Sequence, residues 1–600
     1  MLGPAARGAE QRTLRIRAAW GGGEARVWHG SVEVTHGTLS ELVPLGVEAD
    51  EPGSMWLERG RIILRGPSSR TYDGFDCTID APADARLLVR LSTKATAPHE
   101  PPIEIPLSAL LNDSHNADLH DGANRLLVRR APGDHLQVRL DRDALVFAPD
   151  ETMSLALRPS LWGLAPSAKV KLRAEVRGGD GRSWWTHELE STADAAGLLA
   201  GEHALEIPVP SAEGVYQLEL TADTRRLGAA LNRKSHLAER RVQFVVVDAA
   251  SPATTTAASA ADWSKVVEIN PASPAWWERL AKLPLLPGLR KGPLGTAEAH
   301  PWQHPLGQLI QLGPGGTEPN LSWQAYPLPI EKIGAPHVVE IEYPSDVPQA
   351  MGLSIIEPNA AGDVMPIGLD SGLYVPGESA TETPRLLTHR LTFWPKTKTP
   401  MLLITNRREG AQAVYGKIRV LAGPEKLPVA PLNGEPGDRL LAAYYDRPLF
   451  PENFGAAESL DPSSGRSLDD WLTFYQGGAR LVEYLEHTGY NGAVVSVLAD
   501  GSSLFPCPAL EPTPRYDTGI FFGSAQDPCR KDVLELLLRL FDREQLSLIP
   551  ALDFSAPVPE LEAQCRAGGA AAAGLEPIGR DGRPWRVRHP PLHGLAPHYN

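Results

Sequence analysis

Three aspartates stand directly after three apolar segments in the last third of the sequence. Asp446 follows AAYY, Asp500 follows SVLA and Asp553 follows IPAL. The C-terminal ends of parallel strands meet at one edge of an α/β fold, so we expect these carboxylates to line one pocket. Paired carboxylates suit glycoside hydrolysis, and they also suit a divalent cation. A structural role in turns is the alternative, because aspartate is common where strands give way to loops.

Polar residues in the neighbouring loops extend this set. Tyr516, Asp517 and Arg447 could bind substrate hydroxyls, although solvated loop residues have the same composition. The predicted substrate-binding residues are therefore Asp446, Asp500, Asp553 and Tyr516. No catalytic residue is assigned, and no cofactor or metal site is predicted.

The segments that must position these residues alternate between predicted strands and helices, as in parallel α/β folds. The apolar runs RLLAAYYD, GAVVSVLAD and LSLIPALDF read as strands. Between them, SLDDWLTFYQGGARLVEYLEHTG and KDVLELLLRLFDRE have helical spacing, with Ser467 as the predicted N-cap of the first helix. Strand, helix, strand, helix, strand predicts the start of an incomplete (β/α) barrel over 438–600.

Residues 12–425 are dominated by short alternating segments separated by Gly, Pro and Asp, such as TLRIRAA and RLLVRL. This pattern is typical of β-sandwiches. We expect a sandwich over 12–148, an immunoglobulin- or fibronectin-like sandwich over 149–248, a linker over 249–262 and a galactose-binding-like sandwich over 263–425. The turn at 131–134 predicts a hairpin between NRLLVRR and HLQVRL. The predicted fold class is multidomain and mainly β, followed by a partial α/β domain.

The segments RLLAAYYDRPLFPENFGA and RYDTGIFFGSAQDPCRKDVLELLLRLFDREQLSLIPALDFSAP carry a resemblance to a known family. This region resembles the start of a glycoside hydrolase family 10-like TIM barrel of large bacterial exported proteins. The resemblance implies hydrolysis of sugar polymers. Such enzymes place their acid and nucleophile after strands four and seven, and 438–600 reads as about three strands. The catalytic pair therefore cannot be carried onto any residue of this chain.

The composition of the chain limits which kinds of partner the protein can bind. The 600 residues carry 58 Lys and Arg against 73 Asp and Glu, a formal net charge of −15 that repels nucleic acid. No apolar run is long enough to span a bilayer. The first ten residues lack the apolar stretch of a signal peptide, and we expect a secreted or envelope protein whose start is truncated, with a cytoplasmic protein as the alternative.

Three further groups of residues invite a functional interpretation and a structural one. Cys507 and Cys529 could pair, although idle thiols are the alternative. The acidic cluster of Asp113, His115, Asn116, Asp118, His120 and Asp121 could offer oxygens to calcium, or form a plain turn. Aromatic residues of the third sandwich could stack on sugars or pack in its core. These are Trp302, Trp323, Tyr326 and Trp394.

Two functions remain open from the sequence. The first is a glycoside hydrolase-like carbohydrate-active protein whose sandwiches bind a polysaccharide or act as spacers. The second is a non-catalytic envelope or adhesion protein with a degenerate barrel. The sequence does not decide whether the protein is an enzyme, nor its oligomeric state.

Overall fold

The protein is mainly β, with an α/β unit at its C-terminal end. The structure is a computed structural model, and the description is confined to part of the chain. The described residues are 11–45, 54–66, 68–82, 84–94, 101–111, 113–119, 123–142, 144–225, 234–250, 263–273, 294–295, 299–314, 322–364, 369–376, 383–430, 439–460, 467–499, 502–507, 531–553, 574, 580 and 582.

The first sandwich consists of two five-stranded sheets, ordered β3-β6-β1-β10-β9 and β4-β5-β2-β7-β8. Alternation along β1 sends Leu14, Ile16, Ala18 and Trp20 into the core between the sheets. The strands are β1 Gln11–Arg26, β2 His29–Val34, β3 Thr38–Leu45, β4 Met55–Glu58, β5 Arg61–Arg65, β6 Arg70–Pro82, β7 Arg86–Ser92, β8 Ile103–Pro106, β9 His115–Asp118 and β10 Arg125–Arg130. Part of the predicted acidic turn is thus strand β9, where Asp118 pairs with Arg125 at 2.9 Å. His120 and Asp121 lie outside the described residues.

The second sandwich packs a three-stranded sheet, β11-β13-β16, on a five-stranded sheet, β12-β18-β17-β14-β15. Its strands are β11 Leu136–Leu140, β12 Val146–Phe147, β13 Thr152–Pro159, β14 Lys169–Gly178, β15 Ser183–Thr192, β16 His203–Pro208, β17 Gly214–Arg225 and β18 Lys234–Val246. The short strand β12 runs parallel to β18, and the other pairings are antiparallel. The linker predicted after this sandwich lies largely outside the described residues.

The predicted hairpin at 131–134 does not form. Strand β10 pairs with β1 and β9, whereas β11 pairs with β13 in the next sandwich. A buried ion pair between Arg130 and Asp134 holds this crossing. Arg130 also donates to the Ser160 carbonyl at 2.9 Å, and Asp134 accepts from the Arg15 backbone at 2.9 Å. The turn therefore passes the chain between two modules and fixes one against the other.

The third sandwich has a four-stranded sheet β19-β30-β24-β27, a five-stranded sheet β20-β23-β28-β25-β26 and a small sheet β21-β22-β29. Its first and last strands pair with each other, which closes the module. The strands are β19 Ser264–Ile269, β20 Leu294–Gly295, β21 His300–His304, β22 Gly307–Leu312, β23 Trp323–Pro327, β24 His337–Pro344, β25 Gln349–Ile356, β26 Leu369–Val375, β27 Leu386–Phe393, β28 Met401–Asn406, β29 Ala413–Tyr415 and β30 Ile418–Ala422.

The C-terminal unit has the predicted parallel β-α-β-α-β order. Strand β34 pairs in parallel with β31 on one side and with β36 on the other. The elements are β31 Ala442–Tyr445, α1 Phe450–Asn453, β32 Ser459–Leu460, β33 Ser467–Leu468, α2 Trp471–Thr488, β34 Gly492–Ala499, β35 Ser502–Ser503, α3 Val533–Arg543 and β36 Ser547–Leu552. The N-cap of α2 is Asp470 and not Ser467, because Asp470 and Thr473 form a reciprocal capping box. These three parallel strands do not amount to a TIM barrel.

Two adjacent glycines let the helices of this unit approach closely. A Cβ atom on Gly477 would lie 2.8 Å from Pro451 Cα of α1, and one on Gly478 would lie 2.9 Å from Leu540 Cδ1 of α3. Glycine in a helix interior costs about 1 kcal/mol relative to alanine. Close packing on both sides of α2 accounts for the pair.

The second sandwich is docked onto α2 and α3. Its core and that of the α/β unit form one continuous cluster of buried apolar side chains. The Gln243 side chain donates to Asp470 at 3.0 Å and accepts from the Trp471 backbone at 3.1 Å. Arg543, at the end of α3, donates two bonds to Glu213 at 2.9 and 3.0 Å. These contacts join the second sandwich directly to both helices.

The third sandwich also contacts the α/β unit. Lys396 pairs with Glu458 at 2.9 Å, and both side chains are mostly buried. Trp394 packs edge-on against Phe454 at 5.7 Å between ring centroids. The helix residue Arg480 donates to the Gly334 carbonyl at 3.4 Å. The α/β unit is thus held by two sandwiches.

We predict that Arg543→Ala uncouples the second sandwich from the α/β unit. The substitution removes a buried cation from Glu213, which is 31% exposed, and from Glu544, which is 4% exposed. Removing one partner of a fully buried pair costs about 3 to 5 kcal/mol, and the partial exposure of Glu213 reduces that cost here. Scanning calorimetry should show the shared transition splitting or moving to lower temperature. The matched control is Arg539→Ala, which removes a pair within α3 and should change little. Equal effects of the two substitutions would contradict the docking role.

Candidate functional site

The structure describes two of the four predicted substrate-binding residues. Asp446 directly follows β31 and Asp553 directly follows β36, and both are exposed. Asp500 and Tyr516 lie outside the described residues, as does Asp517. Arg447, next to Asp446, is also exposed.

Asp446 and Asp553 lie at the same end of the parallel sheet but at different heights. Tyr445 is opposite Val495, and Leu552 is opposite Leu498. The Asp553 backbone donates to the Leu498 carbonyl at 2.8 Å. The two aspartates are therefore offset by three residues and two strand spacings, or roughly 14 Å between backbones. That separation does not suit a retaining pair of carboxyl groups, which lie about 5 Å apart.

The two faces of this parallel sheet have different surroundings. Ala493, Val495 and Val497 of β34 are buried on the helix side. On the other side, Tyr444 and Ile549 stand opposite Val494 in one row, and Tyr444 is 69% exposed. Parallel sheets are normally covered on both faces. Within the described residues, Tyr444 and Ile549 of this row are exposed large hydrophobic side chains.

Two of the predicted aromatic residues of the third sandwich are buried, Tyr326 in the core of that sandwich and Trp394 in the apolar cluster of the α/β unit. Tyr326 is 3% exposed and its hydroxyl bonds the Tyr415 hydroxyl at 2.9 Å. Burial raises the pKa of Tyr326 to about 12 and that of Tyr415 well above its usual range. Trp394 is buried against Phe454. Core packing, the structural alternative, is correct for these two.

Trp302 and Trp323 are half-buried. Trp302 packs at 5.1 Å from the His304 ring, and His304 is buried beside Asp346 at 3.2 Å. Gln324 and Tyr326 of β23 are buried on the inner side of the five-stranded sheet. Because side chains alternate along a strand, Trp323 projects to the outer side. Trp323 is thus the predicted aromatic residue that takes part in an open sheet surface.

That surface is the clearest candidate site in the described part of the chain. We call it the outer face, and it comprises Trp323, Ala350, Gly352, Gly372, Tyr374, Thr405 and Arg407. The pairing register of neighbouring strands shows which of these residues lie in one row across the sheet. Trp323 pairs with Thr405, Thr405 with Gly352, and Gly352 with Gly372. In the next row Tyr374 pairs with Ala350, whose carbonyl accepts from the Arg407 backbone at 2.9 Å.

The centre of the outer face is bare backbone with a guanidinium above it. A Cβ atom on Gly352 would lie 2.3 Å from Arg407 Nε and 2.6 Å from its Cζ. A Cβ atom on Gly372 would lie 4.0 Å from Arg407 Nη1. Glycine inside a strand weakens the strand and often marks a close approach of a ligand. Tyr374 stands beside this floor and is 73% exposed.

Sequence reasoning missed most of this site. The alternating pattern predicts a sandwich over 263–425 but does not single out this face. The signal that could have found it is a glycine in a strand interior, such as Gly352. The direct pairing of the two glycines depends on which strands are neighbours in the sheet, and no local pattern encodes that.

Within the described ranges, no group of three His, Cys, Asp or Glu side chains is arranged to hold a metal ion. Cys77 is buried in the core of the first sandwich, and burial raises the pKa of its thiol. Cys529, the predicted partner of Cys507, lies outside the described residues. None of the described helices combines the length and hydrophobicity needed for a bilayer span.

No family model and no curated protein matches the chain. Among solved structures, the CBM22-1 xylan-binding domain from Paenibacillus barcinonensis is similar at 7% identity and a TM-score of 0.20, covering 28% of this chain and 98% of that domain. A glycosyl hydrolase family 2 member from Bacteroides cellulosilyticus matches at 10% identity and a TM-score of 0.17, over 41% of this chain and 29% of that one. A β-glucuronidase from Bacteroides uniformis matches at 14% identity and a TM-score of 0.18, over 39% and 26%.

The matched part of this chain covers less than a third of the length of each of these two enzymes. Identities and TM-scores this low carry no argument about function. They also give no support to the predicted family 10 resemblance, which stays a prediction.

The contrast between core and surface aromatic residues is testable. Tyr326→Phe leaves the buried Tyr415 hydroxyl without its tyrosine partner, and we expect a loss of about 1 to 2 kcal/mol in stability. Tyr374→Phe removes an exposed hydroxyl and should leave the unfolding midpoint unchanged within error. Thermal unfolding of both variants measures the difference. A larger loss for Tyr374→Phe would contradict the assignment of Tyr374 to the surface.

Proposed function

We propose that the protein is a carbohydrate-active protein that binds a polysaccharide on the outer face of the third sandwich. The observation that carries this proposal is the row of Trp323, Thr405, Gly352 and Gly372, flanked by Tyr374 and Arg407. It combines aromatic rings at two sides with polar groups and a glycine floor on which the Arg407 guanidinium lies.

The chemistry of this face suits sugar rings. A pyranose offers an apolar face to an aromatic ring and hydroxyls at its edge to hydrogen-bonding groups. Trp323 and Tyr374 stand on strands three spacings apart, or roughly 14 Å, which exceeds one pyranose ring. The face therefore fits an oligosaccharide segment of a polymer, lying across the strands.

The arrangement of the modules supports a further part of the proposal. We propose that 438–600 is the start of a barrel whose interior includes Tyr444 and Ile549, with Asp446, Asp500, Asp553 and Tyr516 as substrate-binding residues at its open end. The sequential order of β31, β34 and β36 and the exposed apolar row support this. The acid and nucleophile of hydrolysis are not assigned to any residue. We also propose an exported location, which suits a protein that binds an extracellular polysaccharide.

Binding by the outer face predicts a specific pattern of losses. Trp323→Ala and Tyr374→Ala should each weaken binding of the full chain to its polysaccharide about tenfold, a change of about 1.4 kcal/mol. Affinity electrophoresis against xylan, hydroxyethyl cellulose, polygalacturonate and methyl-esterified pectin identifies the polymer and measures the loss.

The matched control is Trp184→Ala, which removes a tryptophan that is 46% exposed on the second sandwich. It should leave affinity unchanged. Retention of full affinity by both outer-face variants, or an equal loss in the control, would show that binding lies elsewhere or is nonspecific.

The barrel part of the proposal has its own test. On any polymer of the panel that the protein binds, Asp446→Asn and Asp553→Asn should each weaken binding several-fold, because each removes a carboxylate that contacts the substrate. Affinity electrophoresis measures the loss. Asp542→Asn, an exposed residue of α3, is the control. Full affinity in both variants, or an equal loss in the control, would contradict the substrate-binding role.

A further inference from the structure

The position of the Arg407 guanidinium on the outer face is unusual for a surface arginine. Its Nε and Cζ fill the space that a side chain at position 352 would need, and its Nη1 reaches toward Gly372. Two paired glycines in neighbouring strands thus leave a floor on which this group lies. Any larger residue at position 352 would push the guanidinium away from the sheet.

An exposed aromatic ring stands beside the same floor. Ala350 is the shared neighbour: it pairs with Tyr374 on one side, and its carbonyl accepts from the Arg407 backbone at 2.9 Å on the other. Leu373 and Val375 are buried, so Tyr374 projects outward on the side of the sheet that carries Gly352. A ring stacked on Tyr374 therefore has the guanidinium at its edge.

A guanidinium in this place selects for a particular substituent. It presents five N–H donors in a planar fork, a geometry that matches a carboxylate in a bidentate manner. In a hexuronic acid the carboxylate projects from the edge of the pyranose ring. Stacking of the ring on Tyr374 would bring that carboxylate toward Arg407.

We propose that the outer face recognises an acidic polysaccharide, with the uronate carboxylate bound by Arg407 and the ring stacked on Tyr374. This inference rests on the proposed glycan-binding function and names its substrate class. The net charge of −15 does not prevent such binding, since it is spread over the whole chain and is screened beyond about 8 Å at physiological ionic strength. Arg407 acts at contact distance.

The test compares two forms of one polymer. Isothermal titration calorimetry of the full chain at physiological salt uses polygalacturonate and its methyl-esterified form, which share a backbone and differ in carboxylate charge. We expect about tenfold tighter binding of the acid form. Arg407→Gln should abolish this preference while retaining the weaker binding to the ester. Arg407→Lys should keep part of the preference, since the charge remains without the planar fork.

Two further variants make the result specific. Gly352→Ala should reduce the preference for the acid form by displacing the guanidinium. Arg390→Gln is the matched control, because Arg390 is 71% exposed on the opposite sheet of the same sandwich, and it should leave the preference intact. Circular dichroism of each variant verifies folding.

The outcomes separate the two proposals. Equal affinity for acid and ester, with binding still lost in Trp323→Ala, would overturn the acidic specificity and leave glycan binding standing. A preference that survives Arg407→Gln would overturn the role of Arg407. Binding to no polymer in either form would overturn both proposals.

Discussion

Burial of the outward faces of α2 and α3 is the constraint on which the arrangement of the molecule depends. In an isolated α/β unit such faces meet water, but here Trp471 and its apolar neighbours join the core of the second sandwich. Hydrophobic burial of this kind is nondirectional, so it brings the modules together without fixing their orientation. The orientation comes from directional contacts at its margin, namely the Gln243 bonds to Asp470 and Trp471 and the Arg543 pair with Glu213.

Buried ion pairs at the module junctions act in the same way. Arg130 and Asp134 lie between the first and second sandwiches, and Lys396 and Glu458 lie between the third sandwich and the α/β unit. Desolvation offsets much of the attraction in a buried pair, so its contribution to stability is small. Its geometry is strict, however, and a misplaced module would leave a buried charge without its counterion. The junctions therefore specify one arrangement of the modules.

The contacts at the module junctions also relate the two candidate surfaces to each other. The outer face of the third sandwich and the aspartates at the ends of β31 and β36 belong to modules that contact each other directly through Trp394 and Phe454. A polymer held on one surface is thus held at a fixed position relative to the other. The outer face itself depends on two glycines that weaken their strands, and the space they leave is occupied by Arg407.

The sequence by itself determined the mainly β character of the chain and the parallel order of β31, β34 and β36, because alternation and helical periodicity are local properties. It also located Asp446 and Asp553 at strand ends. Tertiary structure alone decided that the turn at 131–134 joins two sandwiches, that Tyr326 and Trp394 are core residues, and that Gly352 meets Gly372 beneath Arg407. Each of these depends on which strands become neighbours, and strand pairing is settled by the packing of residues far apart in the chain.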